Sequence, residues 1–379
     1  MSRKKYAASP PTWKPSADEQ VRQVMIPDAK FGLNIEPKQC RILEIGPARY
    51  FKRLLPAQTT FYFSSTKRGE REHPPHLGVG AFIRLVAALR RGDYNLIALG
   101  PLRSPLWRRD RSLIHNFSSL FSRFFLRFGS FAQYVARLAP KNVPIIVIDR
   151  LDEPFIGRQN FWMLDRCRSY FKRELPQNHW NVFLNTTSRN ETVANIRRQR
   201  QLVLGAAKLR PLPLLPGLES LPPPPIEPIA KTVDIFYVGV SGTTTVRTRG
   251  WTLLKELAAT GRYSIDLPEE LLPHDEFLRR CARSWLVWSP EGQGWDCWRH
   301  YEAIAMGAVP VINFPSVDRY QPLVDRRHCF LYGCEDDSLL ETFHEALKNR
   351  EGLRRMAAAA WKHIKLHYSR DKLICYLTS

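Results

Sequence analysis

The chain has 379 residues, 44% of them hydrophobic and 25% charged, with a formal net charge of +21; this length suits two globular domains, each with a core of its own. No uncharged apolar run approaches the ~20 residues that cross a bilayer, and no secretory hydrophobic segment follows Met1, which points away from an integral membrane protein and toward a soluble or peripheral one. Seven cysteines (Cys40, Cys167, Cys281, Cys297, Cys329, Cys334, Cys375) lack CxxC or Cys/His ligand spacing, so neither a zinc site nor a disulfide framework is expected, and the reducing cytosol is the expected compartment.

In chain order, residues 1–35 read as a basic extension and residues 36–210 as a first α/β domain. Its expected strands are RILEI at Arg41, TTFYF at Thr59, NLIAL at Asn95, VPIIVID at Val143 and WNVFL at Trp180, separated by helix-length segments, the pattern of a parallel sheet. YFKRLLP at Tyr50 recurs as YFKRELP at Tyr170. The flanking residues do not match, so the pair reads as one local solution used twice, an amphipathic segment ended by proline. Between the third and fourth strands, Phe117, Phe121, Phe124, Phe128 and Phe131 recur at helical spacing, with Arg123, Arg127 and Arg137 interleaved and Arg103, Arg108, Arg109 and Arg111 upstream. Such a stripe suits either a buried core or an anionic interface; Arg108, Arg109, Arg123 and Arg127 are the candidates for a membrane or acceptor surface.

At the end of the fourth strand, Asp149 and Asp152 stand in VPIIVIDRLDEPFIGR, where carboxylates at a strand's carboxyl end face a cleft. Each is a candidate general base, set against the commoner duty of pairing with Arg150 or capping the loop. Residues 211–231, PLPLLPGLESLPPPPIEPIAK, hold eight prolines and read as a stiff connector. The charge divides there: residues 1–230 carry 37 Lys+Arg against 17 Asp+Glu, residues 231–379 carry 20 against 19. The basic excess belongs to the first half, which implies an anionic or lipid-linked partner on that side.

Residues 232–350 read as a second α/β domain with strands VDIFYVGV, YSIDL, SWLVW, VPVI and HCFLY, and residues 351–379 as helices able to pack back on the first. Two doubly wound domains place a cleft between the carboxyl ends of their strands. In SPEGQGWDCWRHYEAIAMGAVPVI, from Ser289, a strand feeds a glycine-containing loop, a helix closed by Gly307, and a strand. A loop entering a helix N-terminus at a sheet's carboxyl edge gathers amides and the positive dipole end, which favour phosphate. Gly292 and Gly294 allow close backbone approach there. Arg299 in the first helical turn adds a fixed cation, and Glu302, three residues on, shares its face and can accept from a diol. By spacing alone, an ordinary dipole-compensating acid with a helix-face partner fits as well.

The run GQGWDCWRHYEAIAMGAVPVINFP resembles the donor-binding segment of GT-B glycosyltransferases, in particular the exostosin-like and family-1-like group with its R-x-x-E-A-x-x-x-G-x-x-P-V-I pattern, filled here by Arg299, Glu302, Ala303, Gly307, Pro310, Val311 and Ile312. The resemblance covers roughly residues 232–350. It implies two Rossmann-like domains facing a cleft and a nucleotide-sugar donor, UDP- or GDP-linked, as substrate, with no separate cofactor or metal. On that reading the donor meets the loop from Glu291 through Gly292 and Gly294 with Arg299 near its diphosphate and Glu302 near its ribose, His300 is a further donor-binding residue, and Arg247 and Arg249 are further diphosphate contacts. The acceptor hydroxyl would belong to glycan, polysaccharide or glycolipid synthesis.

Two other classes stay open. RILEIGPARYF looks like the opening of an S-adenosylmethionine-dependent methyltransferase, although the further glycines and the acid ending the second strand are missing. Charge and aromatic content also fit a nucleic-acid-binding protein or a DNA-directed glycosyltransferase, without a recognisable nucleic-acid motif.

Overall fold

The computed structural model describes residues 39–47, 49–63, 79–101, 131–157, 160–183, 202–227, 229–240, 242, 244–333 and 335–379. Among these residues eleven strands form two wholly parallel sheets. The first holds β1 (Ile42–Gly46), β2 (Thr59–Phe63), β3 (Leu96–Leu99), β4 (Ile145–Asp149), β5 (Ser169–Lys172) and β6 (Leu209–Pro211), in the order β2-β1-β3-β4-β5-β6. Helices α1 (Phe51–Leu54), α2 (Val79–Arg91), α3 (Phe131–Leu138) and α4 (Phe161–Arg166) lie between its strands. The second holds β7 (Val233–Phe236), β8 (Ile265–Asp266), β9 (Ser284–Trp288), β10 (Val309–Asn313) and β11 (Phe330–Tyr332), in the order β11-β10-β9-β7-β8. Its helices are α5 (Thr245–Ala259), α6 (His274–Arg283), α7 (Trp298–Ala305) and α8 (Asp336–Ala346), followed by α9 (Arg350–His367) and α10 (Arg370–Thr378). Both are doubly wound: the strand order reverses between β1 and β3 in one sheet and between β7 and β9 in the other, and these reversals open crevices at the carboxyl ends of the strands.

The apolar runs are continuous because both faces of each sheet are covered. In β4, Ile145 and Val147 enter one cluster with α2 to α4, while Ile146 and Ile148 enter another on the opposite face, the period of two that a strand imposes. That second cluster is shared: Ile42, Ala98 and Phe171 of the first sheet pack in it with Tyr301, Ile304 and Ile312 of the second domain and with Ala360, Ile364, Leu373 and Leu377 of the terminal helices. Helix α10 is fixed to the first domain by Tyr376, whose hydroxyl donates to Pro211 O at 2.8 Å and whose ring stands edge-on to Phe171. The beginning of the proline-rich stretch is packed rather than free, with Pro211 in the edge strand β6 and Leu212, Leu214 and Leu215 buried in the same cluster.

Two local expectations change. WNVFL is not a strand: His179–Phe183 is a 3-10 turn, begun where Asn178 Oδ1 accepts the Trp180 amide at 3.1 Å. The segment at Tyr170 is a strand, β5, between β4 and β6, whereas its near-copy at Tyr50 is the helical turn α1. Arg103, Arg108, Arg109, Arg111, Arg123 and Arg127 and their aromatic neighbours up to Phe128 lie outside the described residues.

Candidate nucleotide site at the second sheet's strand reversal

Two loops meet where the second sheet reverses: one after β7, described at residues 237–240, 242 and 244, and one after β9, residues 289–297. Helix α5 begins at the first loop, capped by Thr244, whose hydroxyl accepts the Arg247 amide at 3.2 Å. It lies close on the sheet at Gly250, where a Cβ would overlap the Trp288 ring. Arg247, in the first turn, donates from Nε to Glu291 O at 2.7 Å. A Cβ on Gly292 would stand 3.1 Å from Arg247 Nη2, so this glycine lets the guanidinium lie along the second loop. Arg249 is exposed two residues further on; residues two apart on a helix do not share a face, and it is not gathered beside Arg247.

Arg299, in the first turn of α7, lies 5.1 Å over the Tyr237 ring, and its Nη1 is buried without a hydrogen-bond partner among the described residues. Gly239 leaves the backbone room for this pair, since a Cβ there would come to 2.8 Å from the Tyr237 hydroxyl and 3.1 Å from Arg299 Nη2. Burial raises the Tyr237 phenol, and Arg299 and Arg247 both oppose the shift, which places both cations near one oxygen. Cys297 at the N-cap gives α7 no side-chain cap, and burial pushes its thiol up to about 11. Two guanidinium groups and an uncapped helix N-terminus thus converge on one reversal crevice, an arrangement that attracts a dianion.

Several residues expected to touch a ligand have other duties. Glu291 is held from the end of β10, its amide donating to Asn313 Oδ1 at 2.8 Å and its Oε2 accepting from Asn313 Nδ2 at 3.2 Å. His300 is a correction: only 1% exposed, it lies behind the loop, with Nδ1 2.7 Å from Ser289 Oγ and Nε2 3.1 Å from Trp295 O. Burial drops its pKa to about 3, so it is neutral, donating to the carbonyl and accepting from the serine. Glu302 shares the Arg299 side of α7 but its Oε1 is 2.9 Å from His274 Nε2, which leaves Oε2 for a further donor.

Gly294 is a second correction. A Cβ there would overlap the carboxylate of Glu174, which arrives from the first domain and accepts the amides of Trp295 at 2.8 Å and Asp296 at 3.3 Å. Those two amides are therefore committed to a side chain rather than open to phosphate. Beside them, Arg173 donates to Asp296 O at 2.6 Å and pairs with Asp152, while Pro176 bridges Val317 and Asp318 N donates to Leu175 O at 2.7 Å. Residues 173–179, after β5, form a polar clasp between the domains beside the shared apolar cluster. Burial is the first cause of the raised pKa of Glu174, about 7, and of Asp296, about 6.

Of the proposed bases, Asp149 is corrected as well. It is 1% exposed, paired with the fully buried Lys172 at 3.3 Å, and accepts from the Tyr170 hydroxyl at 2.8 Å and the Leu151 amide at 3.0 Å, so it faces the sheet interior. Asp152 does reach the interdomain side, on Arg173 rather than Arg150. The methyltransferase-like Glu44 has no oxygen left for a ribose: it accepts the amides of Tyr50, Phe51 and Lys52 at 2.6, 3.1 and 2.8 Å and so caps α1.

Glu174, Arg173, Tyr237, Gly239 and Asn313 were not singled out by sequence. Each stands at or just past the carboxyl end of a strand, and that position was the available signal.

No family profile matches the chain, and no curated protein matches it in sequence. Among solved structures it is similar to the lipopolysaccharide outer core galactosyltransferase WaaB (8% identity, TM-score 0.48, covering 88% of this chain and 97% of that one). It is also similar to a sucrose-phosphate synthase from Thermosynechococcus elongatus (12%, 0.48, 89% and 97%) and to Anabaena HepE in complex with UDP (10%, 0.47, 88% and 97%). At such scores the likeness carries no weight of its own.

Proposed function

We propose that the protein is a GT-B glycosyltransferase that moves a sugar from a nucleotide-sugar donor to an acceptor hydroxyl. The observation that carries this reading is the convergence of Arg247 and Arg299 on the β7/β9 reversal, with Arg299 Nη1 buried and unpartnered among the described residues. The R-x-x-E pattern that resembles the exostosin-like and family-1-like group falls on α7, with Glu302 one turn from Arg299. The donor diphosphate meets the two guanidinium groups and the α7 N-terminus, and the ribose meets Glu302 Oε2.

In the transfer, the acceptor oxygen bonds to the anomeric carbon as the bond from that carbon to the phosphate oxygen breaks. The electron pair leaves on the diphosphate, whose growing charge the arginines and the helix dipole stabilise. With inversion at the anomeric carbon, the acceptor proton passes to a base on the first-domain side, and Asp152 is the candidate. An anionic or lipid-linked acceptor, a UDP- or GDP-linked donor, a role in glycan, polysaccharide or glycolipid synthesis, and peripheral membrane contact complete the proposal; the first half's charge supports the acceptor side.

The test is thermal stabilisation by UDP, GDP, dTDP, CMP and S-adenosylmethionine, with duplex DNA as a further arm. A ligand at a hundred times its Kd adds about 2.7 kcal/mol to the folded state, a visible shift. A nucleoside diphosphate is the expected hit, lost in Arg299→Gln. Stabilisation by S-adenosylmethionine or DNA alone would replace the reading.

A further inference from the structure

The clasp between the domains and the proposed nucleotide loop share one side chain. Glu174 follows β5 of the first sheet and is only 3% exposed, yet its carboxylate caps two consecutive amides of a loop 121 and 122 residues away. The second loop is cut to fit it: Gly294 has no Cβ where the carboxylate sits, and the Gly292 amide turns back to Gly294 O at 2.8 Å, beneath the position that Arg247 occupies. Arg173, adjacent to Glu174, fixes the next carbonyl, that of Asp296. Asp296 in turn accepts from the Tyr301 hydroxyl at 3.0 Å, within α7, the helix that carries Arg299. The contacts thus run from the first-domain carboxylate to the helix on which Arg299 stands.

We infer that Glu174 is a positioning residue: it holds Gly294–Asp296 in the shape that directs Arg247 and Arg299 into the crevice, so that nucleotide affinity and interdomain contact form one equilibrium. This rests on the nucleotide reading proposed above and adds a regulatory consequence to it. A nucleotide that binds the shaped loop tightens the clasp, and loosening the clasp from the first-domain side weakens the nucleotide by the same factor, although no first-domain residue need touch it.

The experiment compares the full-length wild type with Glu174→Ala and Glu174→Gln, using UDP and GDP as probes. Affinity is read by calorimetry and amide hydrogen exchange is followed at residues 172–179 and 292–299. Glu174→Ala is expected to weaken the bound nucleotide about ten-fold or more, the loss of a charge-assisted bond pair. Glu174→Gln, which keeps one acceptor oxygen, falls between it and the wild type. In the wild type the nucleotide slows exchange in residues 172–179; in Glu174→Ala that remote protection disappears, which a purely structural role would not cause. Equal affinities, or protection of residues 172–179 that survives the alanine, overturns the inference while leaving the nucleotide site standing. If the wild type binds neither probe, a UDP- or GDP-linked donor is ruled out instead, and exchange at Trp295 and Asp296 without ligand decides the positioning role: acceleration in Glu174→Ala supports it, and unchanged exchange refutes it.

Discussion

Substituting Gly294 by alanine isolates the clasp. The new Cβ overlaps the Glu174 carboxylate, the mobile end of a side chain, so the steric cost itself is small if the carboxylate can leave. Leaving breaks the bonds to Trp295 N and Asp296 N, two buried charge-assisted contacts. Such bonds are worth about 1.5–3 kcal/mol each, and protonation of a carboxyl already raised to about 7 offsets part of the loss. The net is roughly 2–4 kcal/mol, a fall in Tm of roughly 5–10 °C for domains of this size. Gly294→Ala, Glu174→Ala and the double variant form a cycle read by thermal and urea unfolding. Glu174→Ala is destabilising by itself, because it strands the same amides. In the double variant the methyl group enters the vacated space and strands nothing further, so the two losses overlap and a coupling of about 1.5 kcal/mol or more is expected. Additive losses, or a Gly294→Ala variant as stable as the wild type, would refute the clasp.

Arg247→Gln and Arg299→Gln each reduce nucleotide affinity about ten-fold or more in calorimetry, whereas Arg249→Gln leaves it unchanged; equal effects of all three would show a diffuse field instead of a site. Lys172→Met strands the buried Asp149 and lowers urea stability by about 3–5 kcal/mol, and a loss under about 1 kcal/mol would contradict the pairing. The pH dependence has opposing parts. Glu174, raised to about 7, contributes stability that is full below its unfolded value of 4.5 and is lost as pH rises through 7. His300, lowered to about 3, and His328, lowered to about 4, contribute stability present above about 6.5 and lost as pH falls. Against Glu174→Gln, the wild type therefore gains up to ~3 kcal/mol between pH 8 and pH 5, and a flat difference would place the Glu174 carboxyl in water.

What could be read from the sequence followed the range of the forces involved. Parallel strands buried on both faces announce themselves as apolar runs, so β1, β3, β4, β7, β9 and β10 were visible, and α7 with Gly307 behind it was visible from its periodicity and its closing glycine. YFKRLLP and YFKRELP show where this stops. The first coils because Glu44, six to eight residues back, caps three of its amides; the second extends because β4 and β6 lie on either side of it. Nearly the same seven residues take either form, and tertiary context decides. Gly294 was legible as a close approach but not by what: the approaching group is a carboxylate contributed from across the domain boundary. Asp149 was legible as a strand-end acid, while its engagement by Lys172, its register partner on the neighbouring β5, depends on a pairing that no single segment encodes.

The fastening of α10 onto the first sheet bears on how this protein can be dissected. Cutting near Lys231 would strip Phe171, Leu212, Leu214 and Leu215 of the lid that Leu373, Tyr376 and Leu377 form over them. An amino-terminal half made alone would carry a sticky, half-finished face and precipitate or recruit chaperones, and supplying the last two helices in trans is the route by which it would become tractable.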